Sequence, residues 1–142
     1  PLLRTRVPTP EEIAELVAFL PRLYAEGFQP IKAWHGGTRN AQGALTLPWP
    51  DYNDVVEAFF RAASRDCWLD YDYCPEEAAQ LLRDEDRVRN AGIDEIKTML
   101  TFCVRGERFS DGHWGAMVEG GYVRRLLERL AEIGGINHQE EQ

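Results

Sequence analysis

A chain of 142 residues with 44% apolar and 11% aromatic side chains has enough material for one packed core, which argues against an intrinsically disordered chain. Its net charge of −8 repels phosphate backbones and argues against non-specific nucleic-acid binding. Residues 51–103 hold 13 acids against 6 bases, whereas residues 104–133 hold five of each.

The first helix is announced by Thr9-Pro10-Glu11-Glu12: a capping threonine, a proline at the first helical position and a glutamate that completes a capping box. Ile13, Leu16, Val17, Leu20, Leu23 and Tyr24 follow the helical period, and Pro21 ends or kinks the helix near Leu20. Ile31–Trp34 and Ala44–Leu47 read as the strands of a loose hairpin around a polar loop, with Pro48-Trp49-Pro50 as an extended stop. Asp51 is the expected cap of a second helix whose stripe is Tyr52, Val55, Val56, Phe59 and Phe60.

Trp68–Tyr73 alternates apolar and polar and predicts a third short strand. Pro75-Glu76-Glu77 opens a short helix to Leu82, and Arg83–Arg89 reads as a solvated connection. Two later helices have clear apolar faces: Ile93, Ile96, Met99, Leu100, Cys103 and Val104, then Tyr122, Val123, Leu126, Leu127, Leu130 and Ile133. These elements predict a mainly α, compact single-domain, bundle-like fold over 1–142 with a minor antiparallel β-hairpin. Residues 1–8 and 134–142 are expected to be flexible termini.

Between the two late helices runs Arg105-Gly106-Glu107-Arg108-Phe109-Ser110-Asp111-Gly112-His113-Trp114, dense in groups able to make directional contacts. Gly106 suits a left-handed helix cap, Ser110 or Asp111 suits an N-cap, and Phe109 and Trp114 suit core positions. A helix start beside arginines is a plausible anion site. The simplest reading is a structural brace in which Arg105 or Arg108 bridges Glu107, Asp111 or Glu119 and His113 caps a carbonyl.

The leading functional expectation is a non-catalytic binding module. In it Arg105 and Arg108 meet an anionic ligand or protein partner, and Trp114 and Tyr71 supply apolar contact. The alternative is a small hydrolase or transferase using Glu107, Asp111 and His113 in a pocket. The spacings of Cys67, Cys74, Cys103, Asp111 and His113 match no zinc signature, so no metal and no cofactor is expected. No apolar run reaches bilayer length, and the odd cysteine set fits a reduced, cytoplasmic protein with neither a nucleic-acid nor a membrane partner. Oligomeric state is not encoded in any of these patterns.

The block Val104-Arg105-Gly106-Glu107-Arg108-Phe109-x-Asp111-Gly112-His113-Trp114, followed by Gly121-Tyr122-Val123-Arg124-Arg125-Leu126-Leu127-Glu128-Arg129-Leu130, resembles a family of small bacterial proteins of unknown function. Cys67–Tyr73 is similar to the family's middle section, and the likeness spans about residues 45–132. Ser110 stands where many relatives are expected to have cysteine. The resemblance implies a bacterial, cytoplasmic protein and carries no catalytic residue with it.

Overall fold

The computed structural model describes residues 6–136. Thr9 caps α1 (Pro10–Val17): its hydroxyl accepts from Glu12 N while the Glu12 carboxylate accepts from Thr9 N, completing the capping box. The chain breaks at Ala18–Phe19, just before Pro21, and resumes as α2 (Leu20–Leu23). Of the predicted flexible ends, most lies outside the described residues. Within the described part, Pro8 is buried, and Ile136 packs on the core with its amide bonded to Ala131 O.

The hairpin is real, but its second strand lies further on than the sequence suggests. β1 (Ile31–His35) pairs antiparallel with β2 (Trp49–Tyr52), so the Pro48–Pro50 stop is part of a strand and Ala44–Leu47 is not. The long loop is tied by an isolated bridge, Arg39 to Leu45, and by backbone hydrogen bonds from Gly37 to Thr46, from Thr46 to Thr38 and from Asn40 to Ala44. Proline is tolerated at Pro50 because a two-stranded sheet has only edge strands. A bulge between Ile31 and Ala33 brings Ile31 and Trp34 to the same face as Tyr52 and Pro50. His35, Trp49 and Asp51 occupy the other face, where the His35 and Trp49 rings lie 4.5 Å apart.

Asn53, not Asp51, caps α3 (Asp54–Ala63), its side chain accepting from Val55 N at 3.0 Å. The predicted strand at Trp68–Tyr73 is instead a 3-10 turn, Asp66–Trp68, followed by turns. Its alternation reflects one buried ring, Trp68, and a backbone fastened to a helix, where Asp70 N donates to Thr101 Oγ1 at 2.9 Å. After α4 (Pro75–Arg83), the stretch read as a connection folds into α5 (Glu85–Arg89). Asp84 caps it, and the buried Val88 gives it a reason to fold back.

The long α6 (Ile93–Arg105) sits centrally, packed against α3, α4, α7 (His113–Glu119) and α8 (Tyr122–Ile133). Ile96, Met99, Leu100 and Cys103 are fully buried along one face, and α8 contributes Val123, Leu126, Leu127 and Leu130 to the same core. Tyr24 clamps the α7–α8 turn by donating to Val118 O at 2.7 Å and accepting from Arg124 N at 3.0 Å. The fold is therefore mainly α with a minor antiparallel hairpin, as the periodicities predicted. Among the described residues, no helix is long and apolar enough to cross a membrane.

Candidate functional site

The chain between α6 and α7 does not stop at Gly106. Gly106 is right-handed (φ −61°), and the helix tightens through a 3-10 turn, Gly106–Arg108. The glycine is needed for space rather than for backbone freedom, since a Cβ there would lie 2.3 Å from His113 Nε2. The left-handed residue is Gly112 (φ 91°), which caps α7 in place of Ser110 or Asp111. A Cβ on Gly112 would also meet the Trp34 ring at 3.0 Å, so the hairpin lies directly over this cap.

Glu107 organises the turn. Its carboxylate accepts from Tyr52 Oη at 2.8 Å, Trp114 N at 2.8 Å and Gly112 N at 3.0 Å. The amides at the start of α7, where the sequence suggests an anion site, are thus taken up by the chain's own glutamate. Burial and the neighbouring carboxylate push the Tyr52 phenol above its ordinary value, which keeps it protonated as the donor.

The brace predicted from the sequence is corrected in its partners. Among the described residues Arg105 and Arg108 make no ion pair, and Glu107 is satisfied by a phenol and two amides instead. Arg105 lies over the Tyr73 ring at 5.4 Å and close to Tyr71, whose hydroxyl donates to Asp66 at 2.7 Å. The turn and the 66–73 segment therefore meet, as expected, although without a strand. Arg108 projects from an exposed position.

Phe109 is not a core residue: it is 84% exposed, more than any other large apolar side chain described. Trp114 takes the core role alone, stacked on Phe60 at 4.7 Å with its indole N–H on Val104 O at 2.9 Å. That leaves little of it for a ligand. The aromatic ring on the surface beside the turn is Trp34, 53% exposed, which periodicity did not single out. The hint available was Gly112, a residue type that permits close backbone approach.

The three residues offered for catalysis do not form one hydrogen-bonded group. Glu107 is occupied as described, Asp111 is exposed, and His113 Nε2 is buried without a hydrogen-bond partner. Burial holds the His113 imidazole below its ordinary value, against the opposing pull of the Phe102 carbonyl and Glu107. Cys103 is fully buried, its thiol pushed up to about 12, and Cys74 is exposed on the surface. Among the described residues, no group of three or more His, Cys, Asp or Glu side chains is placed to hold a metal ion.

No curated protein and no solved structure matches the chain. One family model does, and it spans nearly all of the fold from the α1 cap to the end of α8. By that match over residues 8–135, the chain belongs to DUF6508, a family of unknown function.

Proposed function

We propose that this chain is a non-catalytic recognition module whose working surface is the Arg105–Gly112 turn, flanked by Trp34 on one side and Tyr71 on the other. One observation carries the reading. Glu107, the carboxylate set between two arginines, is taken up internally, and among the described residues Arg105 and Arg108 have no ion-pair partner, beside an 84% exposed phenylalanine. An exposed aromatic next to unpaired guanidinium groups is the composition of an interface hot spot.

Proton-transfer chemistry finds less support. A glutamate holding three hydrogen bonds and a histidine whose Nε2 is sealed are poorly placed to exchange protons with a substrate. The acidic chain disfavours nucleic acid as the partner, and a bacterial, cytoplasmic setting belongs to the same proposal.

Unfolding free energies of Arg105→Ala, Arg108→Ala and Phe109→Ser test it. Side chains kept for recognition change stability by no more than about 0.5 kcal/mol each. Losses of the size of a core truncation, about 2–5 kcal/mol, would make them structural and end the proposal.

A further inference from the structure

We infer that the chain self-associates through its hairpin arm, the outer face of one arm lying antiparallel on that of a second copy across a two-fold axis. This surface is separate from the Arg105–Gly112 turn, and the inference does not rest on the recognition reading. Residues 32–49 are exposed without exception. The arm is nonetheless ordered by its own bonds: Thr46 N donates to Thr38 O, and Asn40 N donates to Ala44 O. At the tip, Asn40 Oδ1 accepts from the Gln42 and Ala44 amides. A two-stranded hairpin left alone in water is marginal, and a further packed surface stabilises it.

The arm also collects exposed apolar surface. Among the described residues eight large apolar side chains stand exposed, and four of them, Trp34, Leu45, Leu47 and Trp49, are on this arm. Trp34 lies toward Gly112, whereas the other three share the outer face. The pairs 33–51, 34–50 and 35–49 and the bridge 39–45 keep one register. Alternation along the strand then sets Leu47 and Leu45 on the side of Trp49. Leu47, at the middle of this row, is 75% exposed. The register sets Gly37 beside it, where a Cβ would meet only Pro48 at 3.8 Å, so the row has an open notch.

The occupant that fits this face is another such face. Opposite charges stand at the two ends of the row: Arg39 beside Leu45 at the tip, and Asp51 beyond Trp49 at the base. Arg39 Nη1 donates to Gly43 O at 2.9 Å, which holds the guanidinium at the tip. Asp51 keeps 43% of its side chain exposed, with Lys32 at 3.8 Å and His35 at 3.4 Å as its ion-pair neighbours. A two-fold axis near Pro48 lays each Leu47 against the partner's Trp49 and each Arg39 near the partner's Asp51. The apolar middle and the charged ends are then complementary to themselves.

The net charge of −8 favours the same approach. The charged side chains of residues 31–52 are Lys32, Arg39 and Asp51, so the excess of acid lies in the rest of the chain. Two copies repel each other body to body and can meet arm to arm. Residues 32–49 fall short of the roughly 20–30 residues that each side of a standard interface supplies, so the dimer is reversible, with a Kd on the order of micromolar.

Sedimentation velocity on the full chain, from about 1 to about 200 μM, tests the inference. A reversible monomer–dimer equilibrium is expected. Leu47→Asp weakens it about tenfold or more, and Arg39→Asp and Asp51→Arg each weaken it as well. The Arg39→Asp/Asp51→Arg double variant recovers affinity relative to either single variant, because exchanging both charges in a two-fold contact recreates both pairs. Circular dichroism and thermal unfolding confirm that each variant is folded.

A chain that stays monomeric throughout this range overturns the inference, whatever else the arm then binds. A dimer that Leu47→Asp leaves intact is built on another surface and overturns it too. A dimer that needs Leu47, in which the double variant is no better than the single ones, overturns the antiparallel two-fold arrangement. None of these variants changes Arg105, Arg108 or Phe109, so the unfolding measurements on those residues decide the recognition reading separately.

Discussion

Tyr52 donates its hydroxyl proton to Glu107 across 55 residues of sequence, at 2.8 Å. The same hydroxyl oxygen lies 3.4 Å from Gly115 N, which donates to it. This one phenol therefore ties the end of β2 to the turn after α6 and to the first residues of α7. The exposed parts of the turn, Arg108 and Phe109, are presented from a base that does not depend on them.

Loss of the Glu107 carboxylate should be costly. Glu107→Ala strands the Gly112 and Trp114 amides and the Tyr52 hydroxyl, and is expected to cost about 2–4 kcal/mol in urea unfolding. Tyr52→Phe removes one donor and is expected to cost about 1 kcal/mol.

Gly106→Ala isolates a steric contact. The backbone at Gly106 is helical and would accept alanine, so any loss comes from the His113 ring against the new Cβ. A cost of about 1–3 kcal/mol is expected in the native background. In a His113→Ala background the same change should be neutral or slightly stabilising, because helix propensity then decides the sign. Equal costs in both backgrounds would remove the contact from the account.

His113 gives stability a pH dependence of known sign. Its folded pKa is depressed by burial, so between that value and about 6.5 the unfolded chain binds more protons. The contribution is fully present above about 6.5 and is lost as pH falls through the depressed folded value. His113→Gln should flatten this part of the stability–pH curve. Glu12, held below the usual carboxylate range by Arg6 and the Thr9 amide, acts in a separate window below about 4.5. An unchanged curve in His113→Gln would contradict the burial argument.

Thiol chemistry should separate the three cysteines. Cys74 is exposed, whereas Cys67 and Cys103 are buried with thiols pushed up by burial. One equivalent of a thiol reagent is expected to react quickly in the native state, at Cys74. The other two should become reactive only on unfolding.

Much of the helical scaffold was legible because its signals are local. The Thr9 capping box, the apolar face of α6 and the stripe of α8 are each written within one element. The errors arose where distant residues decide the outcome. Arg83–Arg89 looks solvated in isolation, but Val88 finds a core that the stretch cannot advertise. Trp68–Tyr73 alternates like a strand, and the bond that the Asp70 amide donates to Thr101 Oγ1 holds it as a turn.

The candidate site shows the same division. The position of the turn could be read from its composition, and so could the need for glycine at Gly106, though the reason is the His113 ring; for the cap that the left-handed Gly112 supplies, composition favours Ser110 or Asp111 instead. The partner of Glu107 could not, because proximity in sequence favours Arg105 and Arg108 while the fold supplies Tyr52 from another element. Trp34 escaped notice because the bulge that turns it toward Gly112 leaves no mark in a period-two pattern.

A double-mutant cycle decides whether Glu107 is held by neutral donors rather than by the arginines beside it. Coupling energies would be measured by urea unfolding for Glu107→Gln with Tyr52→Phe, and for Glu107→Gln with Arg105→Ala and with Arg108→Ala. The account predicts a coupling of about 0.5–2 kcal/mol for the tyrosine and no more than about 0.3 kcal/mol for either arginine. Coupling of 1 kcal/mol or more to Arg105 or Arg108, with about none to Tyr52, would contradict it and restore the arginine–carboxylate brace.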